Sequence, residues 1–326
     1  MKNTKAIPVP PPPGYLEEWR TTNHTCLVTG ATDGIGRALA IRLADAGQTL
    51  AIVGRSEEKV QTVLSDINDA GPRHPHCGFV ADLSCIAEVD RLAKELSQKL
   101  PDLNRVALCA SAMPGFHGIT ADGVEAGFSV NCLSRVQLLD KLTPLLKKQE
   151  EPRVVSFASP ATRLEAPNLS VLNDPDGNLS NWDRNTAHTS YNLLFVAQLA
   201  ERLKGTQVCV NAFGPGLVAT KQVHGYSAMR RLWFSLQNTL IGRTPAYAAL
   251  PAMHMLLSQD FAEKTGGFYE CARKIPLDES FLNEETQTRL WEETAQLVQL
   301  AQANQREKKF PETSFCDISH GFSAEK

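Results

Sequence analysis

The sequence predicts a doubly wound α/β fold: a parallel sheet covered on both faces by helices, a three-layer α/β/α sandwich. Three observations carry this. Short, unbroken apolar runs alternate with longer amphipathic stretches along most of the 326 residues, and strands covered on both faces read as such runs. The first run, Cys26-Leu27-Val28, enters a turn with glycines at 30, 34 and 36, after which Ile35, Ala38, Leu39 and Leu43 share one helical face. Breakers such as Gly71-Pro72, Pro75 and Pro101 stand between the runs.

In chain order, the helix after the first strand is closed by Gly47 as a C-cap. Residues 49–53 (TLAIV) form a buried strand and 57–70 a helix. Residues 77–80 form the third strand, and a helix over 86–100 stops at Pro101. A strand at 106–110 leads to one long helix over 124–148, which Pro144 kinks or ends. Then come a strand at 153–158, a helix at 183–203, a strand at 208–213, a helix at 245–257, a short strand at 268–269 and a helix at 284–302. The organisation is a Pro-rich arm (1–20), one domain (21–304) with a small lid at about 222–243, and a polar tail (305–326). Pro8 and Pro10 to Pro13 give the arm polyproline character or make it a disordered leader.

The formal net charge of -3 gives no electrostatic reason for a nucleic-acid partner. The eight cysteines contain no C-x-x-C pair, and no spacing suggests a bound metal. They read as reduced, buried small hydrophobes, which with the absence of a membrane-spanning run points to the cytoplasm.

The turn Thr29-Gly30-Ala31-Thr32-Asp33-Gly34-Ile35-Gly36 carries the first chemistry. Strand, glycine turn and helix together present a helix N-terminus and bare N–H groups to a pyrophosphate. A Cβ there would clash with the phosphates or forbid the turn's dihedrals. The Gly-x-x-x-Gly-x-Gly spacing resembles the cofactor turn of the short-chain dehydrogenase/reductase superfamily, and other landmarks of that family recur in order. They are Asp82-Leu83 after the third strand, Asn131 in SVNCL, and Pro215-Gly216 with Val218 and Thr220. The likeness covers roughly residues 24 to 275. NLLFVAQLAERL and the late segment beginning GGFYECARKIP are similar to the retinol-dehydrogenase-like branch, whose members often carry an N-terminal membrane anchor not seen here.

The resemblance implies a Rossmann-type fold binding a nicotinamide dinucleotide. Gly30, Thr32, Asp33, Gly34, Ile35 and Gly36 would hold the pyrophosphate. Asp82 and Leu83 would meet the adenine, and Ala110 and Ser111 would line the nucleotide side. Pro215, Gly216, Val218 and Thr220 would close over the nicotinamide. Cofactor choice follows from charge. A carboxylate after the second strand would bind a ribose 2′-OH and repel a 2′-phosphate, but here the position reads Gly54-Arg55. Each charge-assisted bond from Arg55 to a phosphate is worth about 1.5–3 kcal/mol, so the expectation is NADP(H). Arg37 is either a second phosphate contact or a solvated helix residue.

In the family, an Asn, a Ser, a Tyr and a Lys four residues after the Tyr support hydride transfer. Asn131 and Ser159 occupy the first two positions, but Asn185 stands at the tyrosine position and Thr189 at the lysine position. A register through Tyr191 puts Phe195 where Lys should be, so the motif is absent either way. Loss of a positioned general acid costs roughly 100- to 10,000-fold. His188, three residues after Asn185, is the first candidate for a replacement donor, against the plain alternative of an exposed helix residue. Asp183 and Tyr191 are weaker candidates.

In the segment 226–242, Met229, Leu232, Trp233, Leu236 and Leu240 fall at helical spacing where the family builds its lid. This suggests a bulky apolar substrate, with a dimer contact or a peripheral membrane foot through Arg230 and Arg231 as alternatives. Three functions compete. One is an NADP(H)-dependent oxidoreductase with a non-standard proton donor, acting on a carbonyl, an imine or an alcohol. The second is a redox-silent cyclase, isomerase or pericyclic enzyme of natural-product metabolism on the same fold. The third is a non-catalytic nucleotide-binding protein. The resemblance further implies a homodimer through the helices at 124–148 and 183–203.

Overall fold

A computed structural model of the chain describes residue 19 and residues 23–70, 75–112, 118–158, 179–216, 244–271, 273–277 and 283–307. The proline run, the lid segment and the end of the tail lie outside these residues. Eight strands form one sheet in the order β3-β2-β1-β4-β5-β6-β7-β8. They are β1 (Thr25–Thr29), β2 (Thr49–Gly54), β3 (Cys77–Val80), β4 (Leu103–Leu108), β5 (Arg153–Phe157), β6 (Cys209–Gly214), β7 (Phe268–Glu270) and β8 (Arg273–Ile275). All neighbours pair parallel except β7 and β8. The chain winds outward from β1 through β2 to β3, then returns to place β4 on the other side of β1. This reversal is the topological switch point, where an open parallel sheet leaves a crevice at its carboxyl edge.

Each connection follows from local chemistry. Helix α1 (Gly34–Asp45) starts at Asp33, whose side chain accepts from Gly34 N. It ends where Gly47, with φ +80°, sends its N–H to Ala44 O. Helix α2 (Glu57–Ala70) returns the chain to β3. Helix α3 (Ile86–Lys99) buries Ile86, Val89, Leu92, Ala93 and Leu96, one face at helical spacing. The region expected as one helix over 124–148 is composite. Here α4 begins as a single turn (Ala126–Phe128), widens to a π-helical stretch (Ser129–Leu133) and continues as α-helix (Ser134–Leu146). Pro144 lies inside it rather than ending it. The carbonyl it orphans belongs to Asp140, which is exposed, so water can take the bond.

Helix α5 (Asn181–Arg202) leads to β6. The helix expected at 245–257 is two, α6 (Pro245–Ala248) and α7 (Leu250–Leu257). Helix α8 (Glu284–Glu307) runs further than expected, and β8 was not expected at all.

One core cluster joins α3, α4, α5 and α8 to one face of the sheet, and a second joins α1, α2 and α7 to the other. The first side has an extra layer, because α8 packs on α3 and α5. Trp291 stacks on Phe195 with centroids 6.2 Å apart, and the Arg202 guanidinium lies 4.0 Å from the Trp291 centroid. Residues 124–139 and 188–200 are buried at every position.

At the amino edge of the sheet, Arg105 and Arg153 are register partners on β4 and β5, 1% and 2% exposed. Arg105 Nε donates to Leu256 O, and Arg153 Nη1 to Ser258 O, at 2.7 and 2.6 Å. Two cations thus meet the negative end of α7. The seven described cysteines form no disulfide. Among the described residues no helix is long and apolar enough to cross a membrane.

Candidate active site

The carboxyl ends of β1 and β4 carry a cradle built from glycines. Gly30 has φ +65°, and a Cβ on it would lie 2.6 Å from Ala110 Cα. A Cβ on Gly36 would lie 2.3 Å from Gly30 O, so the first turn of α1 can approach the strand only as glycine. Gly34 also has a left-handed φ, +54°, yet nothing lies within 4 Å of its Cβ position. The open space therefore sits at the N-terminus of α1, where the first-turn N–H groups and the helix dipole favour an anion. Thr29 Oγ1 accepts from Ala110 N at 3.2 Å and ties the two strand ends together. Thr32 is half-buried and Asp33 exposed, and Ile35 packs against the second core cluster. Gly54 leaves room for Thr32, whose Cγ2 would be 2.3 Å from a Cβ there. These features fit a dinucleotide pyrophosphate.

Arg55 is exposed just beyond β2. Arg37 is turned to α2, where its Nη2 lies 2.6 Å from Asp66 Oδ2 in a helix-surface ion pair. Asp82 Oδ1 accepts from both Ser84 N and Ser84 Oγ, at 2.9 and 2.8 Å, and Leu83 is buried beside it. Ser111 is half-buried. Pro215 is buried and Gly216 has φ +73° after β6. Val218, Thr220 and Ser159 lie outside the described residues.

The other half of the site is assembled from α4 and α5. Asn131, in the π-helical stretch, accepts from Ala112 N at 2.6 Å through Oδ1. Its Nδ2 lies 3.2 Å from His188 Nδ1. On the far side of the ring, His188 Nε2 lies 3.8 Å from Glu125 Oε2. Glu125 also caps α4 by accepting from Phe128 N, and its Oε1 lies 4.0 Å from Arg184 Nε. Glu125 is 1% and His188 3% exposed. His188 is therefore not an exposed helix residue; Asn131 and Glu125 stand beside its two ring nitrogens. Asn185 is half-buried and Thr189 buried.

Tyr191 corrects the sequence expectation most sharply. It is 1% exposed, its Oη lies 2.6 Å from Thr294 Oγ1 on α8, and burial pushes its phenol well above the usual range. It belongs to the α5–α8 interface. Asp183 is exposed, with its N–H and a carboxylate oxygen on Ser180 Oγ at the start of α5.

Three polar residues of this region were not singled out from the sequence: Glu125, Arg184 and Arg135. Arg135 follows Asn131 by four residues and is buried. It donates to Ala110 O, Phe157 O and Ser156 Oγ, so it stitches together the carboxyl ends of β4 and β5. Burial lowers its pKa to about 10, leaving it charged at neutral pH. A charged residue inside an otherwise apolar helical run is the signal that would have found it.

A family profile described as short chain dehydrogenase matches residues 24–172. Human retinol dehydrogenase 13 is 28% identical over 305 residues, 88% of this chain and 88% of the relative. A protein of Streptomyces sp. (strain C5) named as a daunorubicin C-13 ketoreductase, DnrU, is 28% identical over 286 residues, 84% of this chain and 92% of the relative. Among solved structures, a short chain dehydrogenase from Salmonella enterica serovar Typhi superposes with a TM-score of 0.61 at 26% identity, covering 77% of this chain and 97% of that one. A Shigella flexneri protein complexed with NADP superposes with a TM-score of 0.56 at 26% identity, covering 76% and 96%.

Proposed function

We propose that the chain is an NADP(H)-dependent oxidoreductase of the short-chain dehydrogenase/reductase superfamily, similar to its retinol-dehydrogenase-like branch and acting on a bulky apolar small molecule. The observation that carries the reading is the glycine cradle at the switch point, open at Gly34 and closed by backbone at Gly30 and Gly36. NADP(H) is supported by the NADP in the Shigella flexneri structure and by Arg55, exposed where a 2′-phosphate would need a cation. An apolar substrate is supported by relatives named for retinol and daunorubicin, and by the apolar residues at 229–240. A cytoplasmic role in secondary metabolism belongs to the same reading.

The reaction is hydride transfer between the bound nicotinamide and a carbonyl, an imine or an alcohol. When bound, the nicotinamide supplies the hydride chemistry. The chain's own residues hold and orient. Gly34 and the N-terminus of α1 take the pyrophosphate, Arg55 the 2′-phosphate, and Asn131 holds Ala112 on the segment that would flank the nucleotide. The proton donor is non-standard. Asn185 has no proton to exchange, Thr189 brings no cation, and His188 is enclosed between Asn131 and Glu125, so none of the three is a conventional acid. An imine or iminium already carries positive character and needs least help from an acid.

Titration calorimetry tests this reading. We expect micromolar binding of NADPH, much weaker binding of NADH, and at least a tenfold loss of NADPH affinity in Arg55→Ala. Turnover of apolar ketones and imines should consume absorbance at 340 nm. Binding of neither nucleotide overturns the reading. Conversion of an apolar substrate without change at 340 nm favours the redox-silent alternative.

A further inference from the structure

We propose that Glu125 is a positioning residue, whose buried carboxylate selects the tautomer of His188 and through it sets the backbone segment that flanks the nucleotide. The inference rests on the cofactor reading above for its functional consequence, but its geometry stands alone. Ala112 N–H donates to Asn131 Oδ1 at 2.6 Å, which fixes the amide's orientation. The other end of the amide, Nδ2, is a donor only, and it faces His188 Nδ1 at 3.2 Å. Nδ1 must then offer its lone pair, so the ring proton sits on Nε2. That nitrogen faces Glu125 Oε2 at 3.8 Å, an oxygen that only accepts when ionised.

The Ala112–Asn131 hydrogen bond, the Asn131–His188 contact and the carboxylate 3.8 Å from Nε2, an electrostatic neighbour that also accepts from Phe128 N, are mutually consistent. The opposite tautomer would set two N–H groups against each other at Asn131 and a lone pair against a carboxylate. Three further groups of the described residues stand near the ring and the carboxylate. Arg184 Nε is 4.0 Å from the other carboxylate oxygen, the Phe128 ring is 5.9 Å away, and Cys132 Sγ meets only the His188 carbonyl. The link therefore runs from a carboxylate at the start of α4 to Ala112, directly beyond Ala110 and Ser111. In this chain Glu125 acts through two intervening side chains, His188 and Asn131.

Long-range ¹H–¹⁵N spectra of the full-length protein, with the His188 signals assigned by a His188→Gln variant, read the tautomer directly and need no nucleotide. We expect the Nε2–H form in the wild type. Glu125→Gln keeps an acceptor for Phe128 N but presents N–H groups to the ring. It should populate the Nδ1–H form and weaken NADPH binding about 3- to 10-fold. Glu125→Asp, which keeps the charge, should retain the Nε2–H form. Should Glu125→Gln fail to fold, Asn131→Asp serves instead. Its carboxylate can still hold Ala112 N but cannot donate to Nδ1, so the Nδ1–H signal should appear. An Nδ1–H tautomer in the wild type, or an unchanged spectrum and affinity in folded Glu125→Gln, overturns the proposal. If the wild type binds neither nucleotide, the cofactor reading fails while the spectrum still decides the role of Glu125.

Discussion

The phenol of Tyr191 and the imidazole of His188 stand three residues apart on α5, and each is settled by a partner far away in sequence. Tyr191 meets Thr294, and His188 meets Asn131 and Glu125. For Tyr191 the consequence is measurable. Tyr191→Phe removes one hydroxyl, and Thr294 Oγ1 keeps its bond to Leu290 O, so no orphan is left. We expect a cost of about 0.5–1.5 kcal/mol in urea unfolding and unchanged nucleotide affinity and turnover. A large loss of turnover at unchanged stability would return Tyr191 to the active site. The glycine turn was legible in the sequence because its three glycines fall within seven residues, with Gly36 packed on Gly30 O, although Gly30 itself is closed by Ala110 from the end of β4. Glu125 and Arg184 were not, because a polar residue declares a role only through what it is buried beside.

At the scale of elements, alternation of apolar runs located the sheet and its covering helices, and it failed where polarity was inside. Strand β4 begins at Leu103, three residues before its expected start, because Arg105 lies within it and reads as a loop residue while being buried. Strand β8 is RKI, with two exposed positions at the edge of the sheet, and carries no apolar signal. The π-helical stretch shows no period that separates it from the α-helix on either side, though it holds Asn131. Helix α8 was expected, but its target was not. Its grip on α5 centres on Trp291, stacked on Phe195 and covered by Arg202. Trp291→Ala should cost about 2–4 kcal/mol, toward the low side for a tryptophan because the residue is only half-buried. An unchanged denaturation midpoint would mean that α8 is not held there.

For the whole molecule, the amino edge of the sheet sets a pH dependence. Burial, more than the nearby cations, lowers both His24 and His254 to about 4. Between pH 6.5 and 4 the unfolded chain binds protons that the native state refuses, so stability is full above pH 6.5 and falls as pH drops toward 4. Urea midpoints at pH 7.5, 6 and 5 should fall in that order, and His24→Gln should flatten part of the slope. Equal midpoints would refute the assignment. Helix α8 packs on α3 and on α5, the second of the two helices that the homodimer expectation assigned to a second copy. A segment tethered to its own docking site competes at an effective concentration of roughly millimolar, whereas a free second chain at micromolar levels faces about a thousandfold disadvantage. Self-association through the outer face of α5 would thus set a diffusing chain against a segment already tethered beside it, a contest that protein concentration shifts.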